Sequence, residues 1–110
     1  MLDFKQVVTN IGLVSVRVVE LTAENIDEVI KDLRKAGYLV GRSNHDAGAI
    51  YFTGPDFAHG NHEPNKTYIG DLIVVDGNKW TPLKYAEFHL SDSTIRDAIV
   101  RSYRKPIPSN

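Results

Sequence analysis

The densest group of side chains that could do chemistry lies in a short segment with two histidines near the middle of the chain. His59, His62 and Glu63 fall within five consecutive residues, and Zn²⁺ accepts imidazole and carboxylate ligands. Two histidines on a loop supply only part of a catalytic zinc site, so a side chain from elsewhere, such as His45, would have to complete it. A glycine between the histidines and a proline after Glu63 argue against the helix that holds such pairs in known zinc hydrolases. We therefore predict a polar loop without metal or cofactor, and keep a metal-dependent hydrolase or nuclease as the alternative.

Covalent catalysis has less support in the residue types. The chain has no cysteine and no Gly-x-Ser-x-Gly elbow, and Ser91 and Ser93 are interpreted as helix caps. No glycine-rich phosphate loop is present in the sequence. Gly70 and Asp71 are interpreted as a bend and as a carboxylate that accepts backbone N–H groups at the start of a strand. We predict that the protein is not an enzyme.

Cations and aromatic rings are the better candidates for binding. An outward-facing ring such as Tyr51 or Phe52 near Arg42 and Lys66 could stack on a base while the cations neutralise phosphate. Phe57 stands alone in a polar segment, which suits an anchor for a protein contact. The predicted ligand- or partner-binding residues are Arg42, His45, Phe57, His59, His62, Lys66, Arg101 and Arg104.

The charge of the chain is balanced but uneven along its length. Thirteen basic and fourteen acidic side chains give a net charge of −1, which argues against a module dedicated to duplex nucleic acid. Residues 96–110 carry four cations and one carboxylate, and residues 1–95 are net acidic. The basic end could contact an acidic partner or a phosphate, or it could reflect cations gathered at the end of a helix.

The length and composition set the class of protein. A chain of 110 residues has room for one domain with one core. Its lack of cysteine excludes a disulfide framework, and no apolar run approaches the roughly 20 residues of a membrane span. We expect a cytoplasmic protein with a single domain over 1–110, an N-terminal extension over 1–12, a long loop over 54–66 and a disordered tail over 105–110.

The clearest predicted element is a helix over residues 23–36. Thr22 is the predicted N-cap, and four apolar side chains recur at helical spacing from Ile26 to Leu33. Gly37 can take the left-handed conformation that ends a helix. A second helix is predicted over residues 93–103.

The remaining pattern predicts strands around these helices. Strands are predicted over 4–8, 13–20, 38–42, 49–53, 68–75 and 79–83, with Asp76-Gly77 as a hairpin signal. The run 68–75 is apolar on both faces, so it should lie centrally in a sheet or at a subunit contact. We expect an α+β fold: a curled, mostly antiparallel sheet forming a partial barrel, with one helix packed across it and a C-terminal helix.

Two segments of the sequence resemble a group of small tailed-phage and prophage accessory proteins. Residues 14–29 (VSVRVVELTAENIDEV) are similar to that group's valine-rich strand and Leu-Thr-x-Glu-Asn-Ile helix start. Residues 68–77 (YIGDLIVVDG), followed by Trp80, Pro82 and Phe88, are similar to its closing hairpin and short helix. The resemblance carries no catalytic residues over to this chain.

The resemblance implies a function through binding. Some small phage proteins of this size inhibit host immunity by covering a defence protein or by sequestering a nucleotide signal. The function that we expect is therefore a non-enzymatic, phage-encoded binding protein that inhibits or modulates a host component, plausibly an anti-defence inhibitor. Its expected partner is a host protein or a small nucleotide, and we expect it to bind neither a membrane nor duplex nucleic acid. A homo-oligomer of the protein is also expected as a possibility. A virion-assembly accessory protein is a further alternative.

Overall fold

Antiparallel strands and two helices make up the fold of this computed structural model, which describes residues 2–9, 14–54, 64–88 and 92–104. The elements in chain order are β1 (Lys5–Val8), β2 (Ser15–Glu20), α1 (Ile26–Lys35), β3 (Leu39–Arg42), β4 (Ala49–Thr53), β5 (Thr67–Tyr68), β6 (Leu72–Asp76), β7 (Lys79–Pro82), a 3₁₀ turn (Leu83–Tyr85) and α2 (Asp92–Arg104). The predicted α+β class and the antiparallel pairing are confirmed.

The strands form two sheets where one curled sheet was expected. A four-stranded sheet has the order β1-β2-β6-β7, and a three-stranded sheet has the order β3-β4-β5. The predicted strand over 68–75 is divided because Gly70 has a φ of +99°, which turns the chain between β5 and β6. As a result, β5 pairs with β4 and β6 pairs with β2. No closed barrel is present among the described residues.

Strand β6 lies at the centre of the larger sheet, as its sequence predicted. It pairs with β2 on one side and with β7 on the other, and its residues Leu72–Val75 are buried on both faces. The predicted hairpin after β6 is also confirmed: Asp76 pairs with Lys79, and Gly77 between them has a φ of +61°.

Two apolar cores cover the two faces of this sheet. One core joins α1 to both sheets through buried side chains that include Leu33, Phe52 and Ile73. The other lies under α2, where Ile95 and Ile99 pack against Val74 and its neighbours. Burying both faces explains why β6 is apolar at consecutive positions rather than alternating.

Helix α1 begins later than the sequence predicted. The Thr22 hydroxyl accepts the Asn25 N–H at 3.1 Å, as expected of a cap, but the Asn25 carboxamide oxygen in turn accepts the Thr22 N–H at 2.8 Å. The Asn25 side-chain amide also donates to the Glu20 carbonyl. These bonds hold a separate turn before Ile26. The predicted helix end is confirmed, with Gly37 at a φ of +93°.

The chain ends divide differently from the prediction. The strand predicted over 4–8 is confirmed as Lys5–Val8, which joins the larger sheet with Val7 buried, so this part of the predicted extension over 1–12 belongs to the fold. Helix α2 exceeds the predicted range by one residue at each end. The predicted tail over 105–110, the cap Ser91 and most of the loop over 54–66 lie outside the described residues.

Candidate functional site

A group of exposed aromatic and apolar side chains surrounds the end of β5. Tyr68, Ile69 and Tyr85 are 43%, 46% and 52% exposed, so a large part of each side chain is accessible. The Lys84 ammonium lies 4.8 Å from the Tyr68 ring centroid and 5.3 Å from the Tyr85 centroid, so it joins the two rings. Lys66 approaches the Tyr68 ring at 5.6 Å. We refer to Lys66, Tyr68, Ile69, Lys84 and Tyr85 as the tyrosine patch.

The turn after β5 holds the centre of the patch in place. The Asp71 carboxylate accepts the Tyr68 N–H at 3.0 Å, which confirms its predicted role toward a backbone donor. The Gly70 N–H donates to the Leu21 carbonyl at 2.8 Å, and the Leu21 N–H donates to the Asp71 carbonyl at 2.9 Å. These bonds attach the turn to the buried chain before α1, so Tyr68 stands on a fixed support.

The loop between β3 and β4 supports the other side of the patch. The Ile69 N–H donates to the Gly48 carbonyl at 3.0 Å. Gly48 has a φ of +79°, and a Cβ atom placed on it would lie 2.9 Å from Ile69 Cδ1. The positive φ favours glycine at this position, whereas the end of the half-exposed Ile69 side chain can move away from a Cβ atom.

Replacing Gly48 with alanine is expected to lower the free energy of unfolding by about 1–2 kcal/mol, because an L-residue is strained at this φ. Gly54→Ala is the matched control, since no atom of the described residues lies within 4 Å of a Cβ atom at that position. Urea unfolding of both variants checks the prediction. Equal stability of the two would show that the loop relaxes without cost.

Each cation in the patch is neutralised by a carboxylate. Lys84 Nζ lies 2.8 Å from Asp71 Oδ2, and Lys66 forms an ion pair with Asp46. The patch therefore presents aromatic surface with balanced charges around it. Tyrosine-rich surface with a polar surround is typical of protein interfaces, whereas a phosphate site needs a surplus of positive charge.

Only part of the predicted binding set reaches this patch. Lys66 belongs to it, and His45 is exposed in the supporting loop, where its backbone N–H donates to the Ser43 hydroxyl. Arg42 pairs instead with Asp27 of α1. The remaining predicted residues lie either on α2 (Arg101 and Arg104) or outside the described residues (Phe57, His59 and His62).

The residues of the alternative metal site lie outside the part of the chain that the structure describes. His59, His62 and Glu63 all fall in the segment over 55–63, which the structure does not describe. Within the four described ranges, no group of three or more histidine and carboxylate side chains is positioned to hold a metal ion.

The outward-facing ring that the alternation predicted is Tyr51 rather than Phe52. Phe52 is completely buried. Tyr51 lies on the opposite face across Gly41, because a Cβ atom placed on Gly41 would lie 2.6 Å from the Tyr51 hydroxyl. The sequence reasoning did not single out Tyr68, Ile69, Lys84 or Tyr85. Alternation with buried Thr67 could have placed Tyr68 on the outside, but no local signal places Tyr85 beside it.

The end of α2 forms its own polar contacts with the larger sheet. Arg104 lies 3.3 Å from Glu20, and Arg101 is exposed. The Lys5 ammonium donates to the Tyr103 carbonyl at 2.8 Å. Burial raises the pKa of the Tyr103 hydroxyl, and the nearby Glu20 carboxylate acts in the same direction.

Tyr103 is expected to make the fold less stable in strong base. A pKa raised in the folded state contributes stability below the unfolded tyrosine pKa of about 10, and this contribution is lost as the pH rises through the folded value. Thermal unfolding should therefore shift to lower temperature above about pH 10, and less so in Tyr103→Phe. Parallel pH profiles of the two proteins would contradict this role.

Known proteins give no indication of what the tyrosine patch binds. No family model, curated protein or solved structure matches this chain. None of the described helices is long and apolar enough to cross a bilayer. The resemblance to phage accessory proteins stays a prediction that depends on the two sequence segments.

Proposed function

We propose that this protein is a non-enzymatic binding module that acts by covering a surface of a partner protein through the tyrosine patch. The observation that carries the proposal is that Lys84 lies against the rings of two half-exposed tyrosines. One of them, Tyr68, is held by the fixed turn after β5. Tyrosine gives a large contact area with few rotatable bonds, so little entropy is lost on binding.

The charge of the patch favours a protein partner over a nucleotide. Lys66 and Lys84 are both paired with carboxylates, so a phosphate would have to compete with Asp46 and Asp71 for them. A protein surface can pack on the rings while these ion pairs stay at the rim, where they exclude water at little cost. Occlusion of a protein is therefore preferred over sequestration of a nucleotide.

The resemblance to phage accessory proteins suggests where such a module acts. We propose that the partner is a host component that belongs to a defence system, and that binding takes place in the host cytoplasm. An inhibitor of this kind needs only to cover a functional surface, so its action requires no catalytic group of its own. A homo-oligomer is compatible with this mode if the patch stays accessible.

Capture from a lysate of the bacterial host tests this function. Immobilised protein is expected to retain a host protein in stoichiometric amount, and Lys84→Glu, which places a carboxylate beside Asp71 and between the rings, should lose it. Lys79→Glu is the matched control, because it makes the same charge change on an exposed residue at the other end of β7. Equal capture by both variants would contradict the proposed surface.

The histidine segment separates this proposal from the metal-dependent hydrolase. Replacing His59 and His62 together with alanine is expected to leave both the fold and the captured amount unchanged, because binding by the patch needs no metal. The measurements are circular dichroism and the same capture assay, together with metal analysis of the purified protein. Bound zinc that disappears in the double variant together with a hydrolytic activity would favour the enzyme.

A further inference from the structure

A second surface with different chemistry lies between α1 and β3. A groove of about 660 Å³ has Ile30 at its base and is lined by side chains from both elements. Its charged lining residues are Asp27, Lys31, Arg34, Lys35 and Arg42. Four cations against one carboxylate make this groove strongly basic in a chain with a net charge of −1.

Helical spacing explains how the cations are brought together. Lys31, Arg34 and Lys35 follow Asp27 by four, seven and eight residues, which places them along one side of α1. Arg42 faces them from β3 and pairs with Asp27. Lys31 and Lys35 are exposed, and the ion pairs among the described residues include neither of them, so their charge is available to a ligand.

On the β3 side the groove is lined by Arg42, and among the described residues β3 is an edge strand of the three-stranded sheet. Strand β3 pairs only with β4 within the described sheet. The Ser43 N–H donates to the Ala49 carbonyl, so alternation along the ladder directs the backbone groups of Val40 and Arg42 away from β4. The Val40 carbonyl confirms this direction, because it accepts a hydrogen bond from the Arg34 guanidinium at 3.3 Å.

We propose that this groove binds an extended polypeptide segment rich in aspartate and glutamate, which pairs as an added strand on β3. The backbone of Val40 and Arg42 would supply the ladder hydrogen bonds, as in other cases of strand addition. Lys31 and Lys35 would contact the carboxylates. Arg34 would exchange its bond to the Val40 carbonyl for a carboxylate, which a guanidinium binds more strongly.

This site is independent of the tyrosine patch. None of the residues that line the groove belongs to the patch, and the two surfaces differ in charge. Binding of an acidic segment should therefore be unaffected by Tyr68→Ala, and the site can exist whether or not the patch binds a protein.

Three peptides of equal length test the proposal at low salt. The probe is a fluorescein-labelled, end-blocked octapeptide of alternating threonine and glutamate. In one control glutamine replaces glutamate, and in the other alternate backbone nitrogens are methylated, so that its charge is kept but strand pairing is blocked. Fluorescence anisotropy with the full chain measures each affinity, and hydrogen exchange monitors the amides of Val40 and Arg42.

The proposal expects binding of the glutamate peptide alone, with slower exchange at Val40 and Arg42. The double variant Lys31→Gln, Lys35→Gln should weaken that binding about threefold to tenfold, whereas the matched Lys79→Gln should not. Absence of binding by the glutamate peptide at low salt would overturn the proposal. Equal binding of the methylated peptide would also overturn it, because a basic surface alone would then account for the affinity.

Discussion

Replacing Tyr68 and Tyr85 together with alanine is expected to weaken binding of the captured partner by about 100-fold or more. Truncation of a tyrosine at the centre of a protein interface costs about 2 kcal/mol or more when it is a hot spot. Both rings are about half-exposed in the free protein, so they have contact area to bury on a partner. Isothermal titration calorimetry with the purified partner measures the change.

The loss should be specific to binding because the rings are not part of the core. Neither Tyr68 nor Tyr85 belongs to the two buried clusters, so the free energy of unfolding should change by no more than about 0.5 kcal/mol. The variant Tyr68→Phe, Tyr85→Phe keeps the ring faces over Lys84 and should retain most of the affinity. An unchanged affinity in the double alanine variant would place the partner on another surface.

The largest expected effect on stability comes from Phe52. Its side chain is completely buried between α1 and the three-stranded sheet, and its ring meets Tyr38 edge to face at a centroid distance of 5.8 Å. Phe52→Ala is expected to cost about 3–5 kcal/mol, a large part of the roughly 5–15 kcal/mol that stabilises a domain. Guanidinium unfolding measures the difference.

Tyr51 provides the matched control within the same strand. It neighbours Phe52 but lies on the opposite face and is only partly buried, so Tyr51→Ala should cost about 1 kcal/mol. A similar loss for both substitutions would mean that the outer face of the three-stranded sheet contributes as much to stability as the inner one.

The loss of Phe52 should extend to the contact between the sheets. Tyr38 packs on Phe52 and its hydroxyl accepts the Trp80 N–H at 2.8 Å, which joins the start of β3 to the edge strand β7. Without Phe52 the Tyr38 ring loses its packing, and the Trp80 N–H loses a fixed partner. Hydrogen exchange at Trp80 should therefore rise in Phe52→Ala by more than in Tyr51→Ala.

Local interactions explain which elements could be predicted from the sequence. The stripe from Ile26 to Leu33, the left-handed Gly37 and the Asp76-Gly77 hairpin all depend on residues a few positions apart. The Asp71 contact with the Tyr68 N–H was also predictable, because it spans three residues.

The division into two sheets was harder to predict because it depends on pairing partners. The run over 68–75 has the composition of one strand, and the positive φ of Gly70 decides that it becomes two. Which strand each half joins is settled by β2 and β4, which are distant in sequence. The amino-acid composition of a strand does not specify which strands it pairs with.

The α+β class, both predicted helices, the central apolar strand and most strand positions could be predicted from the amino-acid pattern, because backbone preference and side-chain periodicity act over short distances. The two proposed binding surfaces depend on how distant elements pack together. This packing brings Lys84 and Tyr85 to Tyr68 across more than ten residues, and it places Arg42 opposite α1. Such surfaces arise when separate elements pack, because burial of the apolar faces fixes which polar and aromatic side chains are left together outside.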